Sequence, residues 1–157
     1  MLTNGSLLQS QFGGEVQIGT ELGSGGQGAV YRGTNASCQP IAVKWYYPMY
    51  QTKELRKAIT DLVVRRAPSK HFLWPEDVVT KDANFGYVMQ LYPSEFVTIP
   101  KLMKRKVSIT FSEIIRAASQ TVSAFRALQS QGLFYCDISA TNLRALPLGE
   151  ARPFARV

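Results

Sequence analysis

The stretch "LGSGGQGAVYRG", residues 22–33, constrains the fold of this chain more than any other. Gly23, Gly25 and Gly28 follow the spacing GxGxxG, and such a backbone can turn tightly and present its amide N–H groups to phosphate oxygens. The segment after the glycines decides between folds. In a dinucleotide-binding unit the motif opens a helix, with an acidic residue about twenty positions on. Here it runs into the short β-rich "GAVYRG", a turn-forming "TNASCQP", and the apolar run "PIAVKWYY". The glycines therefore belong to a hairpin, and the dinucleotide reading fails. Lys44 sits inside that apolar run, where an ammonium group costs free energy unless it meets an anion. A cation beneath a glycine-rich hairpin is an arrangement suited to a nucleotide triphosphate.

The rest of the chain reads as α+β. "EVQIGTELG", "GAVYRG" and "PIAVKWYY" form a three-stranded antiparallel meander. In "QTKELRKAITDLVVRRAPS", Leu55, Ala58, Ile59 and Leu62 repeat at helical spacing, with Thr52 as cap and Ala67-Pro68 as the stop. "DVVT" and "FGYVMQLY", joined by "KDAN", add two strands, so the expectation is a five-stranded antiparallel sheet with one helix. Phe111, Ile114, Ile115, Ala118, Val122, Phe125 and Leu128 then mark a long helix, with Thr110 and Glu113 as a capping box and Gly132 past its end. Boundaries are expected at 1–13 (an N-terminal extension), 14–92 (a small lobe), 93–143 (the start of a large lobe) and 144–157 (a divergent tail).

Composition narrows the function. The chain has 157 residues, 45% hydrophobic, enough for one core, and a net charge of +7. The densest basic cluster, "KLMKRKV" at 101–107, has no interleaved aromatics to stack bases, so nucleic acid is not the expected partner. No apolar run reaches the ~18 residues of a membrane span, and the start lacks the pattern of a secretory signal, which makes a cytoplasmic protein the expectation. Cys38 and Cys136 read as free thiols.

"GSGGQGAV", "IAVK" and "DISATN" stand in the order, and at nearly the separations, of the protein kinase signatures. Over roughly residues 14–143 the chain resembles a eukaryotic-type protein kinase of the divergent bacterial sort. The resemblance implies a kinase-like small lobe followed by the first helices and catalytic loop of the large lobe. It implies ATP as the nucleotide, with Gly23, Gly25 and Gly28 over its phosphates and Leu22, Val30 and Ala42 on the adenine. Lys44 would hold the α- and β-phosphates. Met89 would guard the back of the pocket, and Gln90, Leu91 and Tyr92 would form the hinge. A helix carboxylate must pair with Lys44. Glu54 has the family's residue type and Asp61 the more familiar separation, with Glu54 preferred. In "YCDISATN", Asp137 matches the catalytic base and Asn142 a Mg²⁺ ligand.

Three departures weaken catalysis. Tyr135 and Cys136 replace the usual His and Arg, and Ser139 replaces the usual lysine. After Asn142 the only acid is Glu150, so the Asp-Phe-Gly carboxylate that the family uses on Mg²⁺ has no counterpart. The sequence thus predicts a kinase-like domain incomplete after its catalytic loop, through a frameshift or early stop, with a long helix that exposes part of its stripe. If complete, it would transfer the γ-phosphoryl of ATP to Ser or Thr of a protein. The alternative is a non-catalytic pseudokinase that serves as a scaffold.

Overall fold

A computed structural model describes residues 1–104, 106–146 and the backbone of 155–156. The chain divides into two compact units, one of residues 1–67 and 74–91, the other of 68–73 and 92–157.

The first unit is built on strand alternation. Strands β1 (Leu7–Ser10), β2 (Glu15–Ser24), β3 (Gly28–Thr34), β4 (Pro40–Tyr46), β5 (Asp77–Lys81) and β6 (Asn84–Gln90) are ordered β1-β2-β3-β4-β6-β5 and close into a barrel. The expected five-stranded sheet is therefore corrected to six strands. The segment read as an N-terminal extension supplies β1, which pairs with β2 on one side (Leu8 with Val16) and β5 on the other (Gln9 with Thr80). The Ser10 hydroxyl donates to the Asp77 carboxylate across that closing seam. Closure removes both open edges of the sheet, which would otherwise offer unpaired N–H and C=O groups. Register shifts between Ile18 and Gly23 on β2 bend that strand as the closure requires.

Alternate side chains point to opposite faces. Leu8, Val16, Ile18, Tyr31, Ile41, Val43, Trp45, Val79 and Val88 fill the interior. Leu8 and Val43 are completely buried, each stabilising the unit by about 2 kcal/mol on area grounds. On the outer face, Tyr46, Val78 and Phe85 meet Ile59 of helix α1 (Lys53–Arg65). Thr52 caps α1 by accepting from the Leu55 N–H, and Trp74 Nε1 donates to the Leu62 carbonyl at 2.8 Å near its end. Ala58, expected in the buried stripe, is exposed, because Leu62 and Val63 face the sheet in its place. Gln51 ties the start of the helix to the barrel: its Nε2 donates to the Tyr46 and Phe85 carbonyls, and its Oε1 accepts from the Phe85 N–H.

In the second unit, helix α2 spans Ile99–Met103 and helix α3 spans Phe111–Ser130. Thr110 and Glu113 form the expected capping box, and Gly132 follows the helix with φ of 70°. Only Ala124 and Leu128 of α3 are buried. Phe111, Ile115 and Val122 are exposed, so the N-terminal half of its apolar stripe faces outward, as the sequence predicts. The segment read as a divergent tail contributes strands β8 (Arg144–Ala145) and β9 (Ala155–Arg156), which pair with each other and, through β8, with β7 (Val97–Thr98). Glu150 lies outside the described residues. Among the described residues no helix is long and apolar enough to cross a membrane, and both cysteines are exposed free thiols.

Candidate active site

The β2–β3 hairpin carries the glycine motif. Gly25 N–H donates to the Gly28 carbonyl at 2.9 Å to close its tip. A Cβ built on Gly23, Gly25 or Gly26 would meet nothing within 4 Å, whereas one on Gly28 would stand 2.1 Å from the Trp45 carbonyl oxygen. Packing therefore explains the last glycine of the motif but not the earlier ones, whose surroundings are open to a ligand. Leu22 lies beside them with 46% of its surface exposed.

Register places the next residues together. Val30 pairs with Lys44, and Lys44 with Tyr87; Arg32 pairs with Ala42, and Ala42 with Met89. Cross-strand partners share a face, so Val30, Ala42, Lys44 and Met89 all lie on the outer face of the barrel, on the side that α1 covers further along. Ala42 and Met89 are buried, while Val30 and Lys44 are half-buried. Gln90, exposed, ends β6, and Leu91 follows it. Lys44 Nζ stands 5.4 Å from the Tyr46 ring centroid, a cation–π arrangement of roughly 0.5–1 kcal/mol that holds the ammonium against the sheet.

The helix carboxylates are placed differently. Asp61 forms an ion pair with Lys57 at 2.7 Å, one helical turn away. Glu54 is exposed in the first turn of α1 and makes no ion pair among the described residues.

Tyr46 was not among the residues singled out from the sequence, where it reads as one more aromatic in an apolar strand. Burial pushes its hydroxyl up to about 12 from an ordinary 10.0. A raised phenol favours the fold while neutral, so this contribution is whole below pH 10 and is lost as the pH climbs through 12. A rise of that size corresponds to about 2–3 kcal/mol. Urea midpoints should fall across that window in the parent and fall less in Tyr46→Phe. Equal losses in both would assign the alkaline transition to other groups.

In the second unit the loop 134–143 comes after α3. Asn142 Nδ2 donates to Asp137 Oδ2 at 2.8 Å and to the Asp137 carbonyl at 3.0 Å. This brings the two expected catalytic-loop residues together and leaves the amide Oδ1 of Asn142 to accept from another group. The Ser139 and Thr141 hydroxyls are 2.9 Å apart, and Ser139 Oγ accepts from the Asn142 N–H. Burial raises the Tyr135 hydroxyl above its usual value, the Asp137 charge adds to this, and a hydrogen bond from Asn142 opposes it.

Among the described residues no three acidic, His or Cys side chains converge. A hard divalent cation is held by several oxygens, and this loop offers one amide oxygen and a carboxylate already bonded to that amide. The residues do not fit a metal held by the protein alone, and no chemical step is assigned to one.

No family model and no curated protein matches the chain. Solved structures do. The PknI kinase domain of Mycobacterium tuberculosis matches with a TM-score of 0.71 at 17% identity, over 93% of this chain and 59% of that one. A double variant of the same domain gives 0.73 at 16% identity, over 99% of this chain and 60% of that one. The chain has a protein kinase-like fold. At these identities the likeness concerns fold alone, and the chain spans about three fifths of the length of the kinase domains it matches. Within a kinase-like fold, the glycine hairpin and Lys44 fall on the first unit, and Asp137 and Asn142 on the second.

Proposed function

We propose that this chain is an ATP-binding, protein kinase-like domain. One observation carries the reading: Lys44 shares a barrel face with Val30, Ala42 and Met89, next to a hairpin whose Gly23 and Gly25 have open space above them. Apolar neighbours suit a purine, an ammonium suits the phosphates, and a bare backbone allows close approach of amide donors. In the second unit, Asp137 would accept the proton of a protein Ser or Thr hydroxyl as it attacks the γ-phosphorus, the bond to the leaving ADP oxygen breaking in the same displacement.

A scaffold reading is favoured by the acidic side of the site. Glu54 makes no ion pair among the described residues, and Asp61 is engaged by Lys57. A domain of this kind would bind nucleotide without transferring phosphate.

Thermal shift with ATP, with and without Mg²⁺, and then labelled-phosphate transfer to a Ser- and Thr-rich acceptor protein, separates the two. Stabilisation with transfer supports the enzyme, and stabilisation without it supports the scaffold. If ATP leaves the transition where it was, both readings fall.

A further inference from the structure

The end of the barrel where β3 begins and β4 leaves it holds a cavity of about 80 Å³ that the nucleotide reading does not use. Its walls include Ala29, Tyr31 and Trp45 from the barrel interior, Tyr47 just past β4, and Asn84 at the start of β6. Strand alternation turns Trp45 inward where its neighbour Lys44 turns outward, so the cavity and the Lys44 face lie on opposite sides of β4. One polar atom in the cavity stands alone. The Tyr31 hydroxyl is buried, only 3% of the residue's surface being exposed, and it has no hydrogen-bond partner among the described residues. The Leu2 backbone lies close enough to bear on it, but not in hydrogen-bonding geometry. A buried hydroxyl left in this state costs the fold free energy, and in a native structure such a group calls for an explanation.

We propose that this cavity binds a small neutral carbonyl compound, its oxygen accepting from the Tyr31 hydroxyl and its apolar body lying against Ala29 and Trp45. Size sets the first limit: at ~30 Å³ apiece the space admits about two or three waters, or a molecule of about four to six non-hydrogen atoms. Water fits it poorly, because a held water needs about two to four polar partners and these walls are mostly aromatic and aliphatic. Replacing loosely held water by an apolar group gains affinity. Burial raises the Tyr31 hydroxyl above its usual 10.0, against an opposing effect of the Leu2 backbone, and the Glu21 charge raises it further. At ordinary pH it is therefore a phenol that donates, which suits an acceptor. Glu21, opposite Tyr31 on β2, also disfavours an anionic ligand, and a cation would bring no acceptor.

The test uses cyclopentanone, which carries one carbonyl on a five-membered ring, and cyclopentane, which lacks it. NMR of the whole chain follows the Trp45 indole N–H and the Ala29 methyl as each is added. Cyclopentanone should shift both signals saturably, with an affinity of roughly millimolar strength. Tyr31→Phe keeps the ring and should weaken cyclopentanone about tenfold, the worth of one hydrogen bond, while leaving cyclopentane binding unchanged. Its melting transition should lie at or above the parent's, since an unpaired hydroxyl has been removed. Saturating ATP should leave the cyclopentanone shifts in place, whether or not ATP itself binds. No saturable shift in the parent, or equal cyclopentanone affinity in parent and Tyr31→Phe, would overturn the proposal. So would a Tyr31→Phe chain that melts well below the parent, because the hydroxyl would then already be satisfied without a ligand. Displacement of cyclopentanone by ATP would likewise overturn it, by making the cavity part of the nucleotide site.

Discussion

Gly28→Ala should destabilise the barrel by at least about 3 kcal/mol, toward the upper end of what overpacking costs, while Gly25→Ala should stay within about 0.5 kcal/mol of the parent. The two glycines are three apart in one motif but answer to different constraints. A Cβ added at position 28 would stand 2.1 Å from the Trp45 carbonyl oxygen and 3.0 Å from Tyr46 Cα, all backbone of the neighbouring strand, which cannot swing aside as a side chain can. Gly86 faces the same strand from its other side, its added Cβ 2.3 Å from the Lys44 carbonyl oxygen, and Gly86→Ala should be comparably severe. Around Gly25 a methyl group meets nothing within 4 Å, so the fold does not require glycine there. If a phosphate does, ATP affinity should drop about tenfold in Gly25→Ala while the urea midpoint holds, the size of one well-placed hydrogen bond. Urea unfolding and nucleotide titration of both variants read these two effects separately. An ATP affinity in Gly25→Ala equal to the parent's would remove the hairpin from the nucleotide site.

This contrast also shows what the sequence makes legible. Period-two alternation in 15–46 and period-3.6 repetition in 53–65 and 111–130 are local patterns, and capping residues mark the helix ends, so those elements can be read directly. Strand β1 could not be. It is four residues long, buries the single large side chain Leu8, and is held both by β2 and by β5, the latter some seventy residues away. No local period encodes a pairing of that range. The two-residue strands β8 and β9 are too short to leave a period at all. At the site, the residue types were legible, but their juxtaposition came from register: Val30, Ala42 and Met89 share a face with Lys44 through ladder pairing that separation along the chain does not specify. The Lys57–Asp61 ion pair on α1 had a signal in the sequence, since Lys57 stands four residues before Asp61 on the same helix face. The spacing of the motif assigns Gly28 to phosphate, and the close approach of β4 gives it a reason of its own.

Lys44→Ala should weaken ATP binding roughly tenfold to a hundredfold, the range for losing one charge-assisted hydrogen bond to a phosphate. The sheet should tolerate the change. Lys44 is half-buried on the outer face, its contact with Tyr46 is a cation–π interaction of about 0.5–1 kcal/mol, and alanine is only moderately disfavoured in strands. A melting transition close to the parent's together with lost affinity would place the ammonium at the phosphates. ADP and AMP sharpen the assignment: if Lys44 meets phosphates beyond the first, the penalty should be largest for ATP and ADP and nearly absent for AMP or adenosine. Added salt should erode the difference between parent and variant, because a cation at a partly open site is screened. Equal affinity of parent and Lys44→Ala for all of these nucleotides would leave the lysine as a strand residue snorkelling past Tyr46. The apolar face of Val30, Ala42 and Met89 would then be a surface for some other ligand, and the kinase-like fold would be all that this chain shares with the domains it matches.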